Sequence, residues 1–329
     1  MRLTQLRALR STARPFIMIP VLYALLPIFA LIGLGLWLRR SGLTPEEHWV
    51  SVEQFSYWLL FPSMLIITLA KAEIPVGESA TMAVTMVTMM LIMTALTFAL
   101  RPILRKTAGL TDPSFTSVFQ GSVRWHGFIA LAVALNLYGD SAVALVAVSL
   151  AVLAPLSNVL SIVVMTAYGS GKGGGVIGAL KQVLANPLIW GCVIGVTLNV
   201  TGLELWEPVE TLLDLLGRAA LSIGMLAIGA ALRLRAAMAA GLAALITMIL
   251  KLIIAPIVLI CVAQITGLNG FSFQVAIICA AVPSAMNGFL LARKMGGDAQ
   301  LYAAAVTLQT GAALITMPIW IALAQHFGQ

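Results

Sequence analysis

Long apolar stretches, separated by short polar connections, fill almost the whole chain. Each stretch is about as long as the roughly 20 residues that cross the hydrocarbon core of a bilayer. Backbone groups in lipid must bond within their own segment, so these stretches predict membrane helices and an all-α polytopic fold. The ten predicted spans cover residues 16–38, 50–69, 79–100, 115–137, 142–168, 184–200, 209–232, 239–264, 272–291 and 300–324.

The composition agrees with a membrane protein and excludes several other classes. Of the 329 residues, 60% are hydrophobic and 9% are charged, and the mean hydropathy is +1.02. The net charge is +7, but the basic residues are scattered between apolar runs. This distribution argues against a nucleic-acid partner. Cys192, Cys261 and Cys279 lie inside apolar runs without metal-ligand spacing, so we predict neither a metal nor another cofactor. We find no nucleophile or metal cluster that would indicate an enzyme.

The distribution of Lys and Arg predicts the orientation in the membrane. The connections after odd-numbered spans are basic, whereas those after even-numbered spans offer only Lys71. The basic residues in the odd connections are Arg39, Arg40, Arg101, Arg105, Lys106, Lys172, Lys181, Arg233, Arg235, Arg293 and Lys294. By the positive-inside rule, these connections are cytoplasmic, and we expect a bacterial inner-membrane protein with both termini in the periplasm.

The N-terminal tail, residues 1–15, conflicts with this orientation because it carries four arginines on the predicted outer side. Two explanations stay open. Either the tail is tolerated outside, or translation begins at Met18 and the tail is not translated.

The chain also contains an internal repeat. The segment "PIFALIGLGLWLRRSGL" from Pro27 matches "PLIWGCVIGVTLNVTGL" from Pro187, at an offset of 160 residues. Two further matches, "FPSMLIITLA" with "SIGMLAIGAA" and "RWHGF" with "AMNGF", have an offset of 161. This constant register predicts two five-span repeats, residues 16–168 and 184–329, joined by a cytoplasmic linker at 169–183. Because five is odd, the second repeat is inverted, which is typical of secondary transporters.

Two cations lie deep within predicted spans. Arg124 is nine residues into the fourth span and Lys251 is twelve residues into the eighth. We expect Asp214 and Arg218 to satisfy each other at i and i+4, so neither cation has an obvious carboxylate partner. An anionic substrate would complete such a pair. The alternatives are an internal ion pair for Arg124 and a polar crevice without substrate for Lys251.

His126 and Asn287 occupy equivalent positions in the two repeats, and each precedes Gly-Phe. Pro283 removes a backbone donor from the ninth span, so it predicts a break over 283–287 whose exposed amides would face an anion. Ser284 lies in the same segment. The corresponding break in the fourth span is argued from glycine alone, and the predicted break glycines are Gly121, Gly127 and Gly288.

His126 and Asn287 each have a structural alternative, which is an ordinary hydrogen bond between helices. A histidine with an ordinary pKa of about 6.5 is also a natural proton carrier.

Several motifs resemble those of the auxin efflux carrier family of membrane transporters. They are "RWHGFIALAVALNLYGD", "NPLIWGCVIGVTLN", "LSIGMLAIGAAL", "KLIIAPIVL" and "VPSAMNGFLLARKMGGDAQLYAAAVTLQTGAALITMPIWIAL". The resemblance implies ten spans in two inverted repeats and a scaffold domain from spans one, two, six and seven. It also implies a transport domain from the other spans, with broken fourth and ninth spans that cross at the binding site. Its implied substrates are small organic carboxylates such as malate, malonate or auxin-like acids.

The chain departs from the family pattern at the fourth span. His126 stands where an asparagine is usual, and the expected crossover proline is absent near Ala132, whereas Pro283 and Asn287 match the ninth-span pattern. These departures bear on the substrate more than on the fold.

The leading hypothesis is a secondary transporter that moves a small organic anion by alternating access, with proton coupling through His126. Arg124, His126, Asn287, Ser284 and Pro283 would form the site, and Lys251 would add positive charge. The alternatives are a sodium-coupled organic-anion symporter of the bile-acid type and a membrane receptor that does not transport. The expected partners are the carboxylate substrate and the lipid bilayer, and a homodimer stays open.

Overall fold

The computed structural model describes residues 18–71, 76–170, 184–185, 187–238 and 241–327. The predicted tail, 1–15, and nearly all of the predicted linker, 169–183, lie outside these ranges. Every regular element in the described ranges is a helix, which confirms the all-α prediction. By length and composition, eight segments within the described ranges could cross a membrane. The sixth and ninth predicted spans instead correspond to shorter apolar helices, Pro187–Thr201 and Gly270–Ala281.

The helices are numbered here in chain order. Those of the first half are α1 (Met18–Arg40), α2 (Glu46–Phe55), α3 (Phe61–Lys71), α4 (Val76–Thr107), α5 (Asp112–Val123), α6 (Gly127–Tyr138) and α7 (Asp140–Tyr168). Those of the second half are α8 (Pro187–Thr201), α9 (Glu207–Ala231), α10 (Leu234–Met238), α11 (Leu242–Ile249), α12 (Ala255–Thr266), α13 (Gly270–Ala281), α14 (Gly288–Met295) and α15 (Ala299–Phe327).

The α2–α3 and α11–α12 helices are each continuous through a π-helical turn. The two turns are Ser56–Leu60 and Leu250–Ile254. Each turn ends two residues before a proline, Pro62 or Pro256. A proline offers no N–H to the carbonyl four residues earlier and clashes with it, so the hydrogen-bond ladder is locally displaced. The carbonyl of Leu252, four residues before Pro256, instead accepts a hydrogen bond from Trp320 Nε1 at 2.8 Å.

Helices α1, α2, α3, α8 and α9 form one group, in which α1 packs along α9 and α3 packs along α8. Glycine allows the α1–α9 backbones to approach closely. A Cβ on Gly35 would overlap the carbonyl of Leu226, and a Cβ on Gly229 would overlap the carbonyl of Ile32. These small residues at the interface substitute for a hydrophobic driving force, which is weak between helices in lipid.

The other helices, α4 to α7 and α10 to α15, form a second group that encloses α5 and α13. Nine of the twelve residues in each of these two helices are buried. Their polar atoms therefore need partners inside the protein, because neither water nor lipid can supply them. This enclosed position is where both helices end and where the candidate site lies.

Candidate functional site

The first interruption of the buried helices covers residues 124–126. Helix α5 is capped at its start by Thr111, whose Oγ1 accepts a hydrogen bond from the Ser114 amide, and it ends at Val123. Arg124 has an extended backbone, with φ −67° and ψ 156°. The helix resumes as α6 at Gly127, directly after His126. The predicted break in the fourth span is therefore present without a proline.

The two glycines predicted to break the fourth span differ in their position relative to the break. Gly121 lies inside α5 and does not interrupt it. A side chain at this position would crowd its neighbour, because a Cβ would lie 2.5 Å from Thr247 Cγ2. Gly127 is the first residue of α6, where a Cβ would lie 2.5 Å from Leu150 Cδ1. Close packing accounts for both residues.

The second interruption covers residues 282–287 and contains Pro283, as predicted. Helix α13 ends at Ala281, and Val282 is extended, with ψ 150°. Helix α14 begins at Gly288, where a Cβ would overlap the Tyr302 ring. The hydroxyl of Tyr302 donates a 2.6 Å hydrogen bond to the carbonyl of Ala285, so α15 supports this segment directly.

Ser284 and Gln309 join the two interruptions. Ser284 Oγ lies 2.7 Å from the Gly121 carbonyl and 3.0 Å from the Arg124 carbonyl. Gln309 accepts from the Ser284 amide at 2.9 Å and donates to the Gly121 carbonyl at 2.9 Å. Both side chains are completely buried, and they satisfy backbone groups that the helix ends leave without partners. Ser284 is thus a structural link between the two breaks.

Arg124 is buried, with 5% of its surface exposed, and its donors are all directed at neutral oxygens. Nη1 donates to Asn287 Oδ1 at 3.1 Å, and Nη2 donates to Asn158 Oδ1 at 2.8 Å. Nε donates to Ser161 Oγ at 3.2 Å. The contact with Asn287 connects the two interruptions, whereas Asn158 and Ser161 belong to α7. These bonds orient the guanidinium without neutralising its charge.

No carboxylate pairs with Arg124 or Lys251 within the described ranges. The predicted intrahelical pair is present, with Arg218 Nε 2.8 Å from Asp214 Oδ2. Buried charges are usually paired, because desolvation of an isolated ion is unfavourable by several kcal/mol or more. The interior therefore holds two cations whose charge balance the described residues do not supply.

Lys251 lies apart from the crossing itself. It sits in the π-helical turn before α12, with only 2% of its surface exposed. One turn earlier, the carbonyl of Thr247 accepts a 3.3 Å hydrogen bond from Gln309. Lys251 is thus one helical turn from the residues that join the breaks, and no contact brings it to Arg124.

His126 and Asn287 face different surroundings. His126 is buried, with 6% exposed, and its Nδ1 has no hydrogen-bond partner among the described residues. Asn287 is exposed although it accepts from Arg124. The guanidinium therefore lies just behind an exposed amide, where a ligand that displaces Asn287 would reach it.

The sequence did not predict a role for Asn158, Ser161 or Gln309. Each lies in an apolar run, and the only available signal was a polar residue without an evident partner. Within the described residues there is no group of three or more side chains suited to a metal ion.

Comparison with known proteins finds that the chain is similar to membrane transporters. Residues 176–321 match the family model described as Membrane transport protein. An uncharacterized transporter of Methanothermobacter thermautotrophicus is 24% identical, over 90% of this chain and 95% of the relative. The uncharacterized transporter YfdV of Escherichia coli K12 is 24% identical over 59% of this chain and 63% of the relative. A Rhizobium meliloti protein named "Putative malonate transporter" is 24% identical over 82% and 85%.

These matches confirm the resemblance that the motifs predicted. Residues 176–321 are thus similar to a family of membrane transport proteins, and the relatives named as transporters extend this similarity to most of the chain.

Proposed function

We propose that this protein is a secondary transporter that moves a small organic carboxylate across a bacterial inner membrane by alternating access. The observation that carries the proposal is the buried guanidinium of Arg124, which touches only neutral oxygens at the junction of two interrupted helices. A carboxylate suits this position because it accepts two parallel hydrogen bonds from a guanidinium and balances its charge.

The proposed architecture has ten membrane-crossing segments in two inverted repeats, and equivalent contacts support it. Gly35 packs against Leu226, while Gly195 packs against Leu65 and its neighbours. These two pairs are related by the offsets of 160 and 161 residues found in the sequence. A duplicated unit that packs against its own copy produces such paired contacts.

A second pair of contacts is similar, although its acceptors are 162 residues apart. Arg39 Nη2 donates to the carbonyl of Leu232 at 2.7 Å, and Asn199 Nδ2 donates to the carbonyl of Ala70 at 3.1 Å. Arg39 and Asn199 are 160 residues apart, and both acceptors lie at the end of a partner helix. The two side chains differ in chemistry but make the same kind of contact at equivalent positions. This supports an old duplication.

The two helix groups supply a mechanism for alternating access. The group of α1, α2, α3, α8 and α9 would serve as the scaffold, and the enclosed group that holds both breaks would move against it. The groups meet where α1 contacts α6 and α15, and where the rings of Phe61 and Phe128 stack with centroids 3.4 Å apart. A rigid movement at this interface would expose the site to each side in turn.

In the proposed site, Arg124 binds the substrate carboxylate, which replaces Asn287 as a hydrogen-bond acceptor. His126 would carry a coupled proton, since its Nδ1 has no competing partner among the described residues. Lys251 would contribute positive potential from one helical turn away without contacting the substrate. The relative named for malonate makes malonate the first substrate to try.

The test is uptake of labelled malonate and malate into sealed vesicles that contain the purified protein. We expect saturable uptake that Arg124→Gln abolishes and that Arg218→Gln retains, because Arg218 already has Asp214 as a partner. Equal uptake by the Arg124→Gln variant would refute the assignment of the site.

Replacement of sodium by choline in the same vesicles tests the coupling ion. We expect unchanged uptake, because no carboxylate that could hold a sodium ion contacts Arg124 or Asn287 among the described residues. Loss of uptake without sodium would favour the sodium-coupled alternative. Binding of malonate without any uptake would favour a receptor.

A further inference from the structure

A cavity of about 910 Å³ opens between the two helix groups, on the side that carries most of the basic connections. Part of its lining consists of four arginines from the end of α1, from the connection between α9 and α10, and from α10 itself. They are Arg39, Arg40, Arg233 and Arg235. Another part belongs to α14 and α15 and contributes Asp298, the one acidic residue that lines the cavity within the described ranges.

Asp298 does not neutralise these arginines. Its Oδ1 accepts from the Leu301 amide at 2.9 Å and its Oδ2 accepts from Ser114 Oγ at 2.9 Å. It therefore caps the start of α15, and no ion pair joins it to an arginine of the described chain. Arg40 and Arg235 are exposed, and their side chains make no hydrogen bond or ion pair with a described residue.

The lining of the cavity includes a residue next to the candidate substrate site in sequence. Phe289 lines the cavity and comes two residues after Asn287. Asn287 is exposed and accepts the hydrogen bond from Arg124. The lining of the cavity thus comes within two residues of the amide that accepts from the buried guanidinium.

We propose that Arg39, Arg40, Arg233 and Arg235 form a second anion site, which collects the organic carboxylate at the mouth of this cavity before it reaches Arg124. This inference rests on the proposed function and adds the route by which the anion approaches. Clefts lined by charges of one sign concentrate counter-ions and can raise association rates by about 10- to 1000-fold. The cavity is larger than a three- or four-carbon acid needs, so the anion stays hydrated there and its binding is weak and sensitive to salt.

The test measures the equilibrium dissociation constant for labelled malonate in detergent, at ionic strengths from about 0.01 to 1 M, by scintillation proximity. Across this range the Debye length falls from about 30 Å to about 3 Å, so long-range attraction is progressively removed. We expect the double variant Arg40→Gln/Arg235→Gln to bind about tenfold more weakly than the parent at low salt, and equally well at high salt.

The matched control is Arg105→Gln/Lys106→Gln. Both residues are exposed, belong to the last turn of α4 and do not line the cavity. This control removes the same charge, and we expect its dissociation constant to stay within about twofold of the parent at every ionic strength. If both double variants weaken binding equally, only the net charge matters and the second site is refuted. If neither weakens binding, the second site is refuted as well.

The same assay separates this inference from the proposed function. Arg124→Gln should lose binding at all ionic strengths, because its contact is short and buried. If Arg124→Gln loses binding while Arg40→Gln/Arg235→Gln binds like the parent, the substrate site is supported and the second anion site is refuted. If the parent protein binds neither malonate nor malate, both the proposed function and this inference are refuted.

Discussion

Replacing Arg124 by glutamine separates a binding role from a structural one. In the absence of substrate, Arg124 holds Asn287, Asn158 and Ser161 through three hydrogen bonds to neutral oxygens. Glutamine keeps part of this capacity and removes a buried charge that no described carboxylate balances. Because an unbalanced buried charge is unfavourable, the loss of hydrogen bonds is offset. We expect the melting temperature of the ligand-free protein to change by only a few degrees or to rise.

The effect on binding should be much larger. A bidentate carboxylate contact consists of two hydrogen bonds that involve charged groups, each contributing about 1.5–3 kcal/mol. Loss of both corresponds to about 3–6 kcal/mol, or a dissociation constant raised by at least about a hundredfold. Lysine restores the charge without the planar fork, so Arg124→Lys should fall between glutamine and the parent.

Thermal unfolding with and without malonate measures both effects in one experiment. A ligand that binds only the native state at 100 times its dissociation constant stabilises it by about 2.7 kcal/mol. The parent should show this upward shift, and Arg124→Gln should not. The reasoning is wrong if Arg124→Gln has a melting temperature many degrees lower without ligand yet keeps the full malonate shift. Arg124 would then have a structural role and no role in binding.

Three further predictions follow from the packing and the site. Gly35→Val should prevent accumulation of folded protein in the membrane, because its Cβ would overlap the Leu226 carbonyl; Gly33→Val, with nothing within 4 Å of the new Cβ, is the control and should accumulate normally in size-exclusion profiles. Ser284→Ala should lower the free energy of unfolding by about 1–3 kcal/mol, because the buried Arg124 carbonyl loses its donor while the Gly121 carbonyl keeps Gln309, and should lower transport with it; an unchanged melting curve would contradict the linking role. His126→Gln should flatten the pH dependence of malonate uptake between about pH 5 and 8, since histidine alone ordinarily titrates in that range; a pH profile identical to the parent would exclude His126 as the proton carrier.

Much of the fold is predictable because bilayer thickness and backbone hydrogen bonding leave few solutions. Apolar length alone predicts helices such as Val76–Thr107 and Asp140–Tyr168. The Asp214–Arg218 pair follows from helical spacing. Such features are local in sequence, so the periodicity of a helix is enough to derive them.

The details of the site depend on contacts between distant residues and could not be derived in that way. Helix α5 ends at Val123 without a proline, and its end is stabilised by Ser284, more than 150 residues away. Gln309 reaches both breaks from α15. Proline signals the second break because it acts on its own backbone, whereas the first break depends on side chains that the sequence does not place.

The asymmetry of the crossing gives the two copies different tasks. Residue 285, which the repeat offset makes equivalent to Arg124, is an alanine whose carbonyl is held by Tyr302. Asn287, the equivalent of His126, instead accepts from Arg124 across the junction. One copy therefore supplies the charge and the other supplies a neutral acceptor that a carboxylate can replace. In the proposed mechanism, a single carboxylate would neutralise the crossing, because the charge stands on one side of the junction only, and release of that carboxylate would return Arg124 to Asn287.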